Sequence, residues 1–277
     1  MSASLLHHVA ILYHPHRKKA VSVAEWLAVE LHRHGVSSTV GNAWDPDLVA
    51  EVGPISDLLV ALGGDGTIIQ VARTAAPVGV PLLGINLGRV GFLAELTPES
   101  LRNQVACIVE ERFWIEERTM LDVRLQGTHA WDSALSLNEV SVARGASPRA
   151  VHVRTCLGGE DFMTYTADGV LVSTATGSTA YSLAAGGPIL YPESRDLLLT
   201  PVAPHLHIGR SVILSGDTHV CLTLDSDRPA VVTIDGTQET GLEPGHMVEV
   251  VRSETVARFA RVAPRRYFYT AIADRLR

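Results

Sequence analysis

The amino-acid sequence predicts an α/β domain with a parallel sheet, followed by a β-rich, sandwich-like domain. In the first third of the chain, short apolar runs alternate with segments of helical periodicity, an order typical of parallel strands covered by helices on both faces. From Met120 onward apolar and polar residues alternate, and Gly, Asp and Ser separate the segments, which indicates antiparallel strands. The chain has 277 residues, 46% of them hydrophobic, which is enough to bury two such cores.

The elements of the first domain alternate between strand and helix. The strands are continuous apolar runs, predicted at His8–His14, Asp57–Leu62 and Pro81–Asn86. The helices have apolar residues three or four apart and are predicted at Lys18–Gly35, Thr67–Ala76 and Pro98–Glu111. Gly35 suits the residue that follows a helix, because glycine adopts the left-handed conformation there.

The strands of the second domain share a strict apolar–polar alternation. They are predicted within Met120–Gly127, Ala134–Arg144, Ala150–Gly159, Phe162–Thr174, His219–Ser226, Ala230–Gly236 and Met247–Ser253. We therefore expect an α/β domain at residues 1–105, on which the tail 255–277 packs back, and a β-rich domain at 106–254.

The amino-acid composition excludes several classes of function for this chain. A net charge of −7 disfavours a general nucleic-acid or membrane-surface binder, so the basic clusters Arg17-Lys18-Lys19 and Arg265-Arg266 are interpreted as solvated surface. The three cysteines are scattered without a CxxC motif, no signal peptide is recognisable and no apolar stretch would span a membrane, so a cytoplasmic protein is expected. The histidine pairs, such as His14 with His16 and His205 with His207, lack a neighbouring ligand at zinc spacing, so no permanent metal site is expected.

The segment Gly63-Gly64-Asp65-Gly66-Thr67 joins a buried strand to a helix. Glycines there let backbone N–H groups approach a phosphate, and the helix N-terminus favours an anion, so Gly63, Gly64, Gly66 and Thr67 are candidate phosphate-binding residues. A carboxylate repels phosphate, so Asp65 points to a bound cation or to a base that takes a proton from an attacking hydroxyl. The residues alone leave a second interpretation open, in which Asp65 caps the helix.

A second segment rich in glycine and hydroxyl groups follows the strand at Val170–Ser173. It presents Thr174, Thr176, Ser178, Thr179, Tyr181 and Ser182 around Gly177, and a short helix ends at Gly186-Gly187-Pro188. Such groups can bind phosphate or ribose without adding charge, so Thr176, Gly177 and Ser178 are further candidate phosphate-binding residues. The pair Asn138-Glu139 lies within an apolar strand, where either a ligand or a neighbouring turn would satisfy it.

In combination these motifs resemble those of the NAD kinase family. The matching segments are Gly63–Thr67, Gly84–Leu96, Asn138–Val140, Asp168–Ile189, Thr200–Leu206 and Asp235–Thr237, in the order of the family. Thr237 departs from the glutamine that the family often has after Asp-Gly, and the segment after Leu206 lacks the common Arg-Pro. These departures put details of subunit contacts and of the nicotinamide pocket in doubt.

The resemblance implies transfer of a phosphoryl group from ATP or polyphosphate to the 2′-hydroxyl of the adenosine ribose of NAD, giving NADP. It implies that Asp65 accepts the proton, that a divalent cation such as Mg²⁺ accompanies the donor, and that the chain forms a homodimer or homotetramer. It also implies that the domain at 1–105 binds a nucleotide, that the domain at 106–254 binds the dinucleotide NAD, and that the active site lies in the cleft between them. The residues that it implies for NAD binding are Asp65, Gly66, Asn138, Glu139, Arg149, Thr166, Asp168, Thr179, Ala180, Tyr181, Ser182, Leu183 and Ala184. Two alternatives stay open: a lipid or sugar kinase with the same glycine turn, and a non-catalytic dinucleotide sensor.

Overall fold

The computed structural model describes residues 6–88, 91–126, 133–146, 148–205, 209–265 and 267–275. By its internal contacts it consists of two compact units, Met1–Glu117 with Ala257–Arg277, and Arg118–Val256. Short parts of several predicted segments lie outside the described residues: Arg89-Val90, Gly127, Arg266 of the basic cluster, residues 276–277 of the tail, and 206–208, which includes His207 and the end of the Thr200–Leu206 motif.

The first unit alternates strands and helices up to its fourth helix. These elements are β1 (His8–Tyr13), α1 (Lys18–Arg33), β2 (Ser37–Asn42), α2 (Pro46–Val52), β3 (Leu58–Gly63), α3 (Asp65–Ala75), β4 (Leu82–Asn86) and α4 (Pro98–Val109). The chain continues with β5 (Trp114–Gln126), β6 (Ser133–Ser136), β7 (Glu139–Arg144), β8 (Val151–Leu157), β9 (Glu160–Ala167), β10 (Gly169–Ser173), α5 (Tyr181–Ala184), β11 (Leu197–Val202), β12 (Val212–Leu214), β13 (Val220–Leu224), β14 (Ala230–Ile234), β15 (Gln238–Leu242), β16 (Met247–Arg261) and α6 (Tyr267–Arg275).

The sheet of the first unit is parallel and is ordered β2, β1, β3, β4, and the last residues of β16 join β4 in the same direction through Phe259 and Leu82. Strand β1 therefore lies between β2 and β3. The chain moves outward from β1 to β2 and then crosses back to β3, so the carboxyl ends of β1 and β3 form a topological switch point, where open α/β sheets bind ligands.

The second unit contains a six-stranded antiparallel sheet in the order β12, β11, β10, β7, β14, β15. Strands β16, β13, β8 and β9 form a second antiparallel layer, and β5 pairs with β6. Alternate residues of both layers enter one apolar core, which includes Val142, Val172, Leu222 and Val250, all fully buried. The two layers thus form the sandwich that the sequence pattern predicts.

The predicted fold class is confirmed, but several elements differ from the prediction. The sequence predicted no strand at Ser37–Asn42, because β2 is an edge strand whose residues are mostly polar and only partly buried. The sequence pattern also did not predict α2, β11, β12 or β15. Helix α3 begins at Asp65 rather than Thr67, with Gly64 as its N-cap residue. Within the described residues no helix combines the length and the apolarity needed to cross a membrane.

Candidate active site

The glycine turn follows β3 at the switch point of the first unit. Asp65 lies in the first turn of α3, and no side chain caps this helix, so the capping interpretation of Asp65 does not describe the turn. The Thr67 side chain is buried against Gly63 and fixes the turn. The first backbone N–H groups of a helix have no partner within it, so this end of α3 is suited to an anion such as a phosphate.

The Asp65 carboxylate is held by the loop that follows β4. The backbone N–H of Phe92 donates to Oδ2 of Asp65 at 2.9 Å, and that of Leu93 donates to Oδ1 at 3.4 Å. A Cβ on Gly91 would lie 2.1 Å from Oδ1 of Asp65, so only glycine allows this approach of backbone to carboxylate. The carboxylate therefore has a fixed orientation, which a general base requires.

A buried network of charged side chains supports the loop that follows β4. Arg261 of β16 donates through Nη1 to the Leu93 carbonyl at 2.8 Å and through Nε to the Glu116 carboxylate. Its second carboxylate partner is Glu95, 3.3 Å from Nη1. Because the N–H of Leu93 binds Asp65, Arg261 positions the carboxylate through a single residue.

Arg17 is a functional candidate that the sequence interpretation assigned to solvated surface. The N–H of His14 donates to the carbonyl of Leu62 at 3.0 Å, so the ends of β1 and β3 adjoin. A Cβ on Gly64 would lie 4.0 Å from Nη2 of Arg17, and one on Gly88 would lie 3.7 Å from Nη1. A guanidinium thus lies beside the glycine turn, a position that only the strand order reveals.

In the second unit Asp235 organises the segment that contains Asn138 and Glu139. The Asp235 carboxylate is buried and accepts hydrogen bonds from the backbone N–H groups of Leu137, Asn138 and Glu139, and from the Ser136 hydroxyl at 2.7 Å. Four donors on one carboxylate fix the backbone around the Asn-Glu pair. The sequence placed Asp235 in a family-like motif but did not give it this role.

Gly177 brings the hydroxyl-rich segment against the same pair. A Cβ on Gly177 would lie 2.1 Å from the carbonyl oxygen of Asn138, so the approach excludes any larger residue. The Thr174 hydroxyl also donates to the carbonyl of Leu137 at 2.6 Å. Two motifs that are far apart in the sequence therefore form one surface.

Most hydroxyls of this segment bond within the protein. Ser178 donates to the carbonyl of Ala175 at 2.6 Å, and the Thr176 hydroxyl accepts from Arg118 at 3.2 Å. The Ser182 hydroxyl lies 3.1 Å from that of Thr200. The more accessible groups of the candidate set are Thr179, Ala180, Tyr181, Leu183 and Ala184.

Glu139 has the most informative protonation state of the candidate residues. Burial, and then the negative charge of Asp235, raise its pKa to about 8, although the Tyr181 N–H opposes this rise. Its Oε2 atom is buried and accepts no hydrogen bond from the part of the chain that the structure describes. A neutral carboxyl group with an unused polar atom suits a ligand that offers a hydrogen bond.

Replacing Glu139 with Gln should make stability less dependent on pH. Because the pKa is raised on folding, the native state holds a proton between pH 4.5 and about 8 that the unfolded chain has lost, and stability falls as pH rises through this window. Glu139→Gln cannot ionise, so we expect it to gain roughly 2–4 kcal/mol relative to wild type between pH 5 and pH 8. Urea unfolding at both pH values measures the difference. Glu239→Gln, an exposed glutamate on β15, is the control; equal pH dependence in all three proteins would contradict the assignment.

Three other predicted residues group elsewhere in the second unit. Arg149 lines a cavity of about 300 Å³ together with Arg144 and His152. Arg144 binds Asp168 at 2.8 Å, and the Thr166 hydroxyl lies 3.0 Å from Nδ1 of His152. Asp168 directly precedes the first residue of β10, whereas Glu139 pairs with Ser173, the last residue of β10. The group around Asp168 and the group around Glu139 are therefore about 15 Å apart along the strand.

Comparison with known proteins gives consistent matches along the chain. The protein-family model described as ATP-NAD kinase N-terminal domain matches residues 15–113. The protein-family model described as ATP-NAD kinase C-terminal domain matches residues 137–262. The NAD kinase of Dehalococcoides mccartyi is 36% identical over 274 residues, 97% of this chain and 95% of that protein. The NAD kinase of Chloroflexus aurantiacus is 38% identical over 278 residues, 99% of each.

Solved structures agree with these sequence matches. Yeast NADH kinase complexed with NADH superposes with a TM-score of 0.86 at 25% identity, over 98% of this chain and 87% of that one. An NAD kinase from Archaeoglobus fulgidus in complex with ATP superposes with a TM-score of 0.80 at 25% identity, over 96% of this chain and 97% of that one.

Proposed function

The chain belongs to the NAD kinase family and phosphorylates NAD, and we propose that Asp65 is the general base of this reaction. The 2′-oxygen of the adenosine ribose attacks the γ-phosphorus of ATP. Its proton passes to the Asp65 carboxylate, the bond between the γ-phosphorus and the bridging oxygen breaks, and ADP and NADP result. A ribose hydroxyl is a weak nucleophile, so a fixed base within hydrogen-bond reach accelerates the attack.

The observation that carries this proposal is the fixed carboxylate at the switch point. Asp65 accepts two backbone N–H groups and lies at the N-terminus of α3, in the turn whose Gly64 neighbours the Arg17 guanidinium. The carboxylate does not cap α3 but binds the loop after β4. The N–H groups of Gly64 and Gly66 would bind donor phosphates, with Arg17 as an added positive charge. Gly63 and Thr67 would shape this phosphate-binding turn, in which the Thr67 N–H donates to the Gly64 carbonyl at 3.0 Å.

The second unit supplies the residues that we propose for NAD. Asn138 and Glu139 are held by Asp235, and the unused Oε2 of Glu139 offers a contact for ribose or adenine. The hydroxyls predicted at Thr176, Ser178 and Ser182 are buried and bond within the protein, so together with Gly177 they would support the ligand surface from below. The more accessible residues of the Thr179–Ala184 segment would hold the dinucleotide. NAD is an extended molecule, so Arg149, Thr166 and Asp168, at the other end of β10, would contact its nicotinamide end.

In this proposal the divalent cation binds together with the phosphoryl donor ATP. Within the described residues, three or more potential ligands cluster only at His219, Cys221 and Glu249, and not at Asp65. One carboxylate together with phosphate oxygens is a common way to hold Mg²⁺, so the residues fit a cation held mainly by the triphosphate. When bound, it would neutralise charge on the transferred phosphoryl group. The resemblance also supports a cytoplasmic homodimer or homotetramer as part of the proposal.

A turnover assay tests the proposed function. NAD with ATP and Mg²⁺ should give NADP, and chelation of the cation should reduce the rate to background because the donor charge is then unscreened. Parallel reactions with NADH and with polyphosphate define acceptor and donor. Tight NAD binding without transfer to NAD from any donor would instead favour a dinucleotide sensor, and phosphorylation of diacylglycerol but not NAD would favour a lipid kinase.

A further inference from the structure

A group of thiol, imidazole and carboxylate side chains lies on the second unit, outside the residues assigned to the reaction. We name it the thiol cluster: Cys156 of β8, His219 and Cys221 in and beside β13, and Glu249 of β16. The register places Cys221 directly opposite Cys156 on one neighbouring strand and opposite Glu249 on the other. Cys156, Cys221 and Glu249 therefore lie in one row across three strands, and His219 lies two residues before Cys221.

The thiol cluster occupies the face of these strands that points away from the core. Val220 and Leu222, which flank Cys221, are fully buried, as are Val248 and Val250 beside Glu249. Because side chains alternate along a strand, Cys221 and Glu249 face outward, and His219 shares their face two residues before Cys221. Cys221 and Glu249 are partly buried and His219 is exposed, so an ion from solution can reach the cluster.

The distances within the cluster suit a shared ligand. The ligand atoms of His219, Cys221 and Glu249 all lie within 4.8 Å of one another. Cys156 lies directly opposite Cys221 on β8, so a second thiol neighbours this group of three. Gln126 donates to Oε1 of Glu249 at 2.8 Å and orients the carboxylate, as residues behind metal ligands commonly do.

We propose that the thiol cluster is a binding site for a soft divalent cation of the zinc class, with His219, Cys221 and Glu249 as its ligands. One thiolate, one imidazole and one carboxylate form a set that Zn²⁺ binds with its fourth position left to water or to the neighbouring Cys156, whereas Mg²⁺ prefers oxygen ligands. The site is thereby separate in chemistry from the cation that accompanies ATP. It would link β13 and β16 on their outer face.

Cadmium and zinc titrations of the full-length protein, with a non-thiol reductant present, test this proposal. Cd²⁺ should give one thiolate charge-transfer band per chain, and Zn²⁺ should remove it by competition. Cys221→Ser and His219→Ala should each weaken binding at least 100-fold while NADP formation stays unchanged. Cys107→Ser is the matched control, because this thiol lies in the first unit, where it donates to the carbonyl of Arg112.

The variants also guard against a loss caused by unfolding. His219 is exposed, so its replacement should leave the thermal unfolding midpoint of the metal-free protein unchanged. Absence of the charge-transfer band in wild type would overturn the proposal. Persistence of the band in both Cys221→Ser and His219→Ala, or its loss in Cys107→Ser, would overturn it equally.

Discussion

Asp65→Asn should lower the turnover of NAD about 10²- to 10⁴-fold while the fold and NAD binding persist, because the amide cannot accept a proton from the ribose hydroxyl. The asparagine keeps one oxygen for the N–H groups of Phe92 and Leu93, so the loop after β4 should lose only part of its support. Steady-state rates of NADP formation and calorimetric NAD titration measure the two effects separately. We expect kcat to fall and the dissociation constant of NAD to change little.

Asp57 provides a matched control at the opposite end of β3. Its Oδ2 accepts the N–H groups of His7 at 2.7 Å and His8 at 2.9 Å, so it too is a carboxylate bound to two backbone amides. Burial opposes the effect, but these hydrogen bonds from His8 and His7 lower the pKa of Asp57. Asp57→Asn should therefore affect stability and not turnover. Near-wild-type turnover by Asp65→Asn, or equal losses in both variants, would remove the base assignment.

Arg261→Met should destabilise the protein by about 3–5 kcal/mol, because it leaves two buried carboxylates without their cation. The side chains of Arg261, Glu95 and Glu116 are only 7%, 8% and 8% exposed. Leu93 also loses the donor to its carbonyl, so the loop that orients Asp65 should loosen and kcat should fall. The urea midpoint and the rate of NADP formation report these two consequences.

Arg33→Met is the control for the Arg261 substitution. Arg33 forms an ion pair with Glu30 on helix α1, but its side chain is 69% exposed. The same chemical change at this surface pair should alter stability by no more than about 0.5 kcal/mol. Adding Glu95→Gln and Glu116→Gln to Arg261→Met should recover part of the loss, and a triple variant that is no more stable than the single one would contradict the buried-charge explanation.

The sequence predicted those elements that a local residue pattern encodes. Apolar runs predicted β1, β3 and β4, and the glycines around Asp65 predicted the turn between β3 and α3. The sequence missed β2, because an edge strand needs little apolar surface. It also missed the position of Arg17 beside this turn, because the order of strands depends on pairing between distant segments. Asp65 was predicted as the base from its residue type and its glycine neighbours, whereas its support by Gly91 and Arg261 depends on contacts that no spacing shows.

The second unit shows the same limit of prediction from local sequence patterns. The hydroxyls of Thr174, Ser178 and Ser182 suggested a ligand surface, whereas the structure directs them into the protein. The sequence spacing of the histidines argued against a permanent metal site. Such spacing, however, detects only ligands that are close in sequence. The thiol cluster instead arises from strand register, which brings Cys221 beside Cys156 and Glu249.

The return of residues 257–277 to the first unit has a consequence for synthesis on the ribosome. Translation is vectorial, so the glycine turn and its Asp65 emerge long before the strand that carries Arg261. Until then Glu95 and Glu116 lack the guanidinium that neutralises them, and the loop around Leu93 lacks its anchor. The nascent first unit therefore completes the support of the loop that binds Asp65 only after the whole second unit has been translated.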